Sequence, residues 1–221
     1  MSPTSLAVPF FFGPETSRMF GLYQEPEGAR RDTAELICSS SGWELTAIHR
    51  TLRALASQFS RRGFPVLRFD LPGSGDWDGD DELASEENYV AAVSKARAEL
   101  ASRSGCVAVG AVGYGAGAGA IATALGRDGS LFRDVVLWDA DLGSVATSLA
   151  IESVDSSHAV LADSSDRVSS QLASRDTAHP VRKFELLRND RDSWSLEQAY
   201  ESVAVPGAML NAIVQWSVKR W

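Results

Sequence analysis

The sequence predicts an α/β fold, a mostly parallel sheet flanked by helices with an antiparallel hairpin at one edge, because three plain observations converge. Short apolar runs alternate with segments of helical periodicity, the pattern of a parallel sheet covered on both faces. One of those runs, Cys106-Val-Ala-Val-Gly-Ala-Val-Gly113, passes directly into Tyr114-Gly115-Ala116-Gly117-Ala-Gly119 and then into a small-residue segment. That reads as strand, sharp turn and helix, with glycines where the backbone bends and packs closely. The first two apolar runs are separated by Gly13-Pro14, which predicts an antiparallel hairpin at one edge of the sheet.

Taken in order, Leu6 to Phe12 and Met19 to Tyr23 are the hairpin strands, and Thr33-Ala-Glu-Leu-Ile-Cys-Ser39 is the next strand. The loop Ser39-Ser-Ser-Gly-Trp-Glu44 hands over to a helix with Leu45, Ile48, Leu52, Leu55 and Phe59 on one face, stopped by Gly63. Phe64 to Asp70 is a strand that ends in the turn cluster Leu71-Pro-Gly-Ser-Gly-Asp76. The acidic stretch from Asp76 to Glu87 reads as a solvated loop, and a helix follows from about Glu87 to Ser102. After the glycine-rich turn and its helix, Asp134-Val-Val-Leu-Trp-Asp139 is one more buried strand. Ser144 to Ser174 reads as mixed helix and loop, either a surface excursion or a lid at about 143–178. His179 to Leu187 is the last strand, and Pro206 opens a final helix carrying Met209, Ile213 and Trp216 on one face.

The 221 residues, 44% of them apolar, suit one domain with a substantial core and leave two independent domains cramped. A net charge of -8 provides no basic field for a phosphate backbone, so nucleic acid is not an expected partner. Cys38 and Cys106 both lie in strand-like apolar runs, which predicts buried thiols and a cytoplasmic setting rather than a disulfide framework. The N-terminus has no basic segment before an apolar core, and no run approaches the ~18 apolar residues of a membrane span. A soluble, unprocessed protein is expected. No metal or cofactor motif is present, none is expected, and nothing in the residues speaks to an oligomeric state.

The glycine-rich turn, the run Gly63-Phe-Pro-Val-Leu-Arg-Phe-Asp-Leu-Pro-Gly-Ser-Gly-Asp76 and Val136-Leu-Trp-Asp139 together resemble the α/β-hydrolases over most of the chain. More narrowly, Pro9-Phe-Phe-Phe-Gly-Pro14, Trp194, Val205-Pro206 and Trp216 resemble the short hydrolase-like proteins that accompany exosortase systems and some natural-product gene clusters. In that fold the turn is the nucleophile elbow, G-x-S-x-G. Here Gly115 stands where the resemblance places the serine.

A serine hydrolase needs an elbow nucleophile, a histidine that takes its proton and a carboxylate that orients the histidine, in the chain order Ser, Asp or Glu, His. Gly115 carries no side chain, and Leu187 to Val205 contains no histidine. Catalysis through an acyl-serine is therefore not expected. His49 sits between core positions of a helix as a surface or boundary residue. His158 acts as a base only if a lid folds over the site, and His179 precedes Pro180 at the strand end remote from ligands.

Ligands in open α/β sheets bind beyond the carboxyl ends of the strands, here Ser39 to Glu44, Asp70 to Asp76, Gly113 to Gly117 and Asp139 to Gly143. Ser40, Ser41, Gly42, Tyr114, Gly115 and Ala116 are the expected substrate-binding residues. The Ala116 N–H, with one from the Ser40 to Gly42 loop, would form an oxyanion hole that needs no serine. Asp139, His158 and Glu44 are the candidate catalytic groups; an aspartate that ends a strand, as Asp139 does, more often caps a turn, and Glu44 reads also as a helix-start residue favoured by the dipole. The leading expectation is a hydrolase-like protein without hydrolysis. It would bind a hydrophobic, carbonyl-bearing small molecule, acyl or polyketide-like, and catalyse cyclisation, elimination or isomerisation in a biosynthetic pathway. The alternatives are a catalytically silent binding or partner protein, and a hydrolase with an atypical site built on aspartate-activated water.

Overall fold

The structure, a computed structural model, describes residues 6–79, 84–141, 159–163, 168, 170–171, 185–188, 196–202 and 205–220. Strands β1 (Val8–Phe12) and β2 (Met19–Gln24) pair antiparallel, with Val8 opposite Tyr23 and Phe12 opposite Met19. They are followed by β3 (Thr33–Cys38), β4 (Val66–Phe69), β5 (Ala108–Tyr114), β6 (Val135–Trp138), β7 (Ala159–Asp163) and β8 (Glu185–Arg188). The sheet order is β1-β2-β4-β3-β5-β6-β7-β8. β2 meets β4 antiparallel, and every pairing from β4 to β8 is parallel. The hairpin therefore forms one edge, as its Gly-Pro punctuation predicts.

Five helices are described: α1 (Trp43–Arg61), α2 (Glu86–Ser104), α3 (Ala116–Arg127), α4 (Leu196–Ser202) and α5 (Gly207–Val218). The period-two alternation of side chains divides each strand between two apolar layers. Ile37, Val66, Val112 and Val136 pack beneath α1, α4 and α5, whereas Leu36, Leu67, Ala111 and Leu137 pack beneath α2 and α3. α1 earns its place through Ile48, Leu52, Leu55 and Phe59, all buried at the spacing of one helical face. α2 begins at Ser85, whose hydroxyl accepts the Asn88 N–H at 3.3 Å, and stops at Gly105 with φ 70°.

β7 corrects the reading of 144–174 as mixed helix and loop. Ala159-Val-Leu-Ala-Asp163 is buried on both faces between β6 and β8, so it shows no alternation that would betray a strand. The rest of the expected lid, apart from 168 and 170–171, lies outside the described residues. Of the last strand expected from His179, residues 185–188 are β8 and 179–184 lie outside. α4 was not anticipated. Cys38 and Cys106 are free and buried, and burial pushes the Cys38 thiol up. No helix among the described residues is long and apolar enough to cross a membrane.

Candidate functional site

β5 and α3 meet at Gly115, where φ is 55° and ψ is −117°, a conformation that L side chains rarely adopt. The bend is held from both directions. The Gly115 N–H donates to the Trp138 carbonyl of β6 at 3.0 Å, and the Gly115 carbonyl accepts from the Ala118 and Gly119 N–H groups at 3.1 and 3.2 Å. Two flanking glycines serve close packing: a Cβ at Gly113 would lie 2.6 Å from the Ala118 Cα, and one at Gly117 would lie 2.6 Å from the Cys38 carbonyl oxygen. The glycine spacing therefore follows from the contact of α3 with β3 and β5.

Cys38 pairs with Gly113 across the β3–β5 ladder, which delivers the following loop beside the elbow. There the buried Ser40 hydroxyl donates to Glu44 Oε2 at 2.6 Å, a charge-assisted bond, and accepts a longer one, 3.3 Å, from the Ala116 N–H. A Cβ placed on Gly115 would stand 2.7 Å from Ser40 Oγ and 2.8 Å from Glu44 Oε2. The space that an elbow side chain would claim is thus taken by a serine–glutamate pair from the neighbouring loop. The pair and the first amide of α3 converge on one point.

Above that point lies a cleft of about 450 Å³. Ser40, Ser41 and Glu44 wall one side, Gly115 and Ala116 form the floor, and Gly119 and Ala120 of α3 face them. Trp43 and Tyr89 contribute aromatic surface, while Glu86 and Asp141 add two carboxylates to that of Glu44. The Thr123 hydroxyl donates to Glu86 Oε1 at 3.2 Å. Among the described residues no lysine, arginine or histidine lines this cleft, and the field of those residues favours a neutral or cationic ligand over an anion. Among the described residues, no group of three His, Cys, Asp or Glu is placed to hold a metal ion.

Of the residues singled out in the sequence, Ser40, Ser41, Glu44, Gly115 and Ala116 are brought together. Gly42 lies outside the cleft wall; with φ 61° it caps α1, its carbonyl accepting the Leu45 N–H at 3.2 Å. Tyr114 is 2% exposed, and its ring meets Trp138 edge to face at 5.3 Å, so it belongs to the core beneath α1. Asp139 is fully buried at the end of β6 with φ 45°, its N–H donating to the Ala162 carbonyl at 2.8 Å. It does not line the cleft. His158 and His179 lie outside the described residues, and His49 is exposed on α1, lining a different cleft.

Sequence reading missed Asp163. It ends β7 at the ligand-facing end of the sheet, is buried, and accepts the Val168 N–H at 3.2 Å. A signal was present: Val66 to Asp70, Val135 to Asp139 and Ala159 to Asp163 are each four strand residues followed or closed by aspartate. Glu86 and Tyr89 of α2 were also missed as cleft residues, because only the packing of α2 against α3 brings them near Gly115, whereas Trp43 and Asp141 lie in the strand-end segments expected to hold ligand without having been singled out.

No protein-family model matches the chain, and no curated protein matches it in sequence. Solved structures do. A dienelactone hydrolase from Anabaena variabilis superposes with a TM-score of 0.71 at 13% identity, over 98% of this chain and 98% of that one. A lidless α/β serine hydrolase from Xanthomonas campestris gives 0.66 at 12% identity, over 98% and 97%. A CIB-like hydrolase from Thermoplasma acidophilum gives 0.66 at 13%, over 96% and 98%. At these identities the likeness carries architecture alone: the chain has the α/β-hydrolase fold, with an elbow built on glycine.

Proposed function

We propose that the cleft over Gly115 binds a neutral, hydrophobic, carbonyl-bearing small molecule and that the protein moves a proton on it without hydrolysis. The observation that carries this reading is the Ser40–Glu44 pair in the place of an elbow side chain, beside the Ala116 N–H. Glu44 is the proton acceptor. An alkanol is far too weak an acid for a carboxylate to ionise, so Ser40 next to Glu44 is a poor nucleophile; a carbon between two carbonyls is acidic enough to give up its proton to that base. The electrons left behind settle on the carbonyl oxygen, where the Ala116 N–H receives them, and Glu44 then returns the proton at another atom. A ligand oxygen reaching this amide replaces only the long bond to Ser40. Trp43 and Tyr89 supply the apolar contact that an acyl or polyketide-like body needs.

Such proton transfer is the common step of isomerisation, elimination and aldol-type cyclisation, and a biosynthetic setting suits it. One domain working in the reducing cytoplasm accords with two free, buried thiols. Dienelactone hydrolase and serine hydrolase are the activities named for the structural neighbours. The short Ser40–Glu44 bond supports a second reading of that kind, hydrolysis with Ser40 as a displaced nucleophile. Exchange into 1-phenylbutane-1,3-dione in D₂O, followed by NMR, separates the two. Accelerated exchange at C2 that disappears in Glu44→Gln, with no fluorophosphonate label on any serine, is the expected result. Labelling of Ser40 together with ester turnover would replace it with the hydrolase, and neither activity would leave a partner-binding protein.

A further inference from the structure

We propose that a second cleft, on the opposite side of the first turn of α1, is a binding site for a monocarboxylate with an apolar body. It measures about 570 Å³, within the range of small-molecule sites. Trp43 and Glu44 line the cleft over Gly115, whereas Leu45, Thr46 and Ala47 line this one.

The register of the antiparallel edge builds its floor. Leu22 lies opposite Arg68 in the β2–β4 ladder, and the Asp70 N–H donates to the Phe20 carbonyl at 3.1 Å. Alternation then sets Phe20, Leu22, Arg68 and Asp70 on the face that α1 covers. His49 and Arg50 of α1 and Tyr200 of α4 close the sides. Apolar and aromatic walls around a few polar groups are what an amphiphilic ligand needs.

Arg68 makes the case for an anion. Arg68 lines the cleft and forms no hydrogen bond or ion pair with any described residue. Asp70 on the same face attracts it without forming an ion pair, because Asp70 Oδ2 is turned to the Asp76 N–H at 3.2 Å and lies against Gly75. Arg50 and Arg53 also lack an ion-pair partner among the described residues, in a chain whose acidic side chains outnumber its basic ones by eight. Burial depresses the Arg68 pKa to about 10, and burial together with Arg68 and Arg53 pushes His49 below its ordinary value. Asp70 offsets part of this positive charge through space but makes no ion pair with it, and a half-buried guanidinium so incompletely paired is costly unless a ligand supplies a closer anion. The planar guanidinium matches a carboxylate. Asp70 and Asp76, which share the lining, repel a dianion more than a monoanion and so select carboxylate over phosphate monoester.

Calorimetric titration of the full chain with octanoate, octan-1-ol and octyl phosphate tests this. Octanoate binding is expected, with the alcohol and the phosphate at least tenfold weaker. Arg68→Met should lose at least tenfold in octanoate affinity, yet melt at a higher temperature than the parent without ligand, an outcome that a purely structural arginine would reverse. Arg50→Gln, on the exposed side of α1, should weaken octanoate several-fold with the fold untouched. Equal affinity for octanoate and octanol, octyl phosphate binding as tightly as octanoate, unchanged affinity in both variants, or no octanoate binding at millimolar concentration would each overturn the assignment.

Discussion

The cleft over Gly115 is floored by backbone and rimmed by carboxylates, whereas the cleft across the first turn of α1 is floored by side chains and rimmed by guanidinium groups. The difference follows from the strands beneath them. Parallel β3 and β5 end side by side, so their loops and the start of α3 meet, and the elbow amide becomes a fixed donor whatever side chains surround it. Antiparallel β2 and β4 do not end side by side in this way, so that site is built from the side chains that alternation turns upward and from those of α1 and α4 that cover them. Topology thus makes one site, and residue choice at a sheet edge makes the other.

Gly115→Val should break the first cleft most severely. The bulky side chain must adopt a positive φ and displace Ser40 and Glu44, at a cost on the order of 1–3 kcal/mol in backbone strain alone. Dione exchange should vanish while octanoate binding survives in whatever fraction stays folded; unchanged exchange in a folded variant by circular dichroism would show that the elbow is not the site. Gly115→Ser should likewise show no appreciable esterase activity, since no histidine among the described residues lines the cleft.

Glu44→Gln keeps the side-chain shape and removes the base. About a hundredfold loss of exchange rate is expected, at the low end for general-base catalysis, with octanoate affinity unaltered. Loss of both functions together would mean that the two clefts are one coupled site.

Glu35 provides a control that belongs to neither cleft. It is buried in β3 with Oε1 unpartnered among the described residues, and burial, with Asp134 nearby, raises its pKa well above the ordinary carboxylate value. The folded chain keeps a proton that the unfolded chain releases, so this residue's contribution to stability falls as pH rises from the unfolded value through the folded one. Glu35→Gln should therefore melt higher than the parent at pH 8 and lose that advantage near pH 4, with both ligand-binding sites intact. A constant difference across that range would contradict the raised pKa.

The smallest effect belongs to His49. Its pKa is lowered, so the unfolded chain binds the proton first, and the stability it lends above the ordinary histidine value is lost as pH falls toward its folded pKa. Thermal melts at pH 7.5 and 5 should show a slightly smaller acid-induced loss in His49→Gln, with exposure and salt keeping the change modest. A larger loss in the variant would reverse the sign of the charge assigned to the basic cleft.

Local chemistry determined much of this in advance. The three-and-four spacing of Ile48, Leu52, Leu55 and Phe59 specifies α1, Gly13-Pro14 specifies the edge hairpin, and the glycines from Gly113 to Gly119 specify the bend with no side chain at its apex. The absence of an elbow hydroxyl is a property of one residue and needs no structure. β7, by contrast, is too short and too evenly buried to carry a period, and Asp163 stayed hidden with it. Ser40 and Glu44 are legible as loop residues, but their arrival over Gly115 depends on β3 lying beside β5. The basic cleft depends in the same way on residues from β2, β4, α1 and α4, which share no local pattern. Periodicity records which face of an element is apolar; only strand pairing, decided by contacts far apart in the chain, sets which elements share an edge and therefore which polar groups meet.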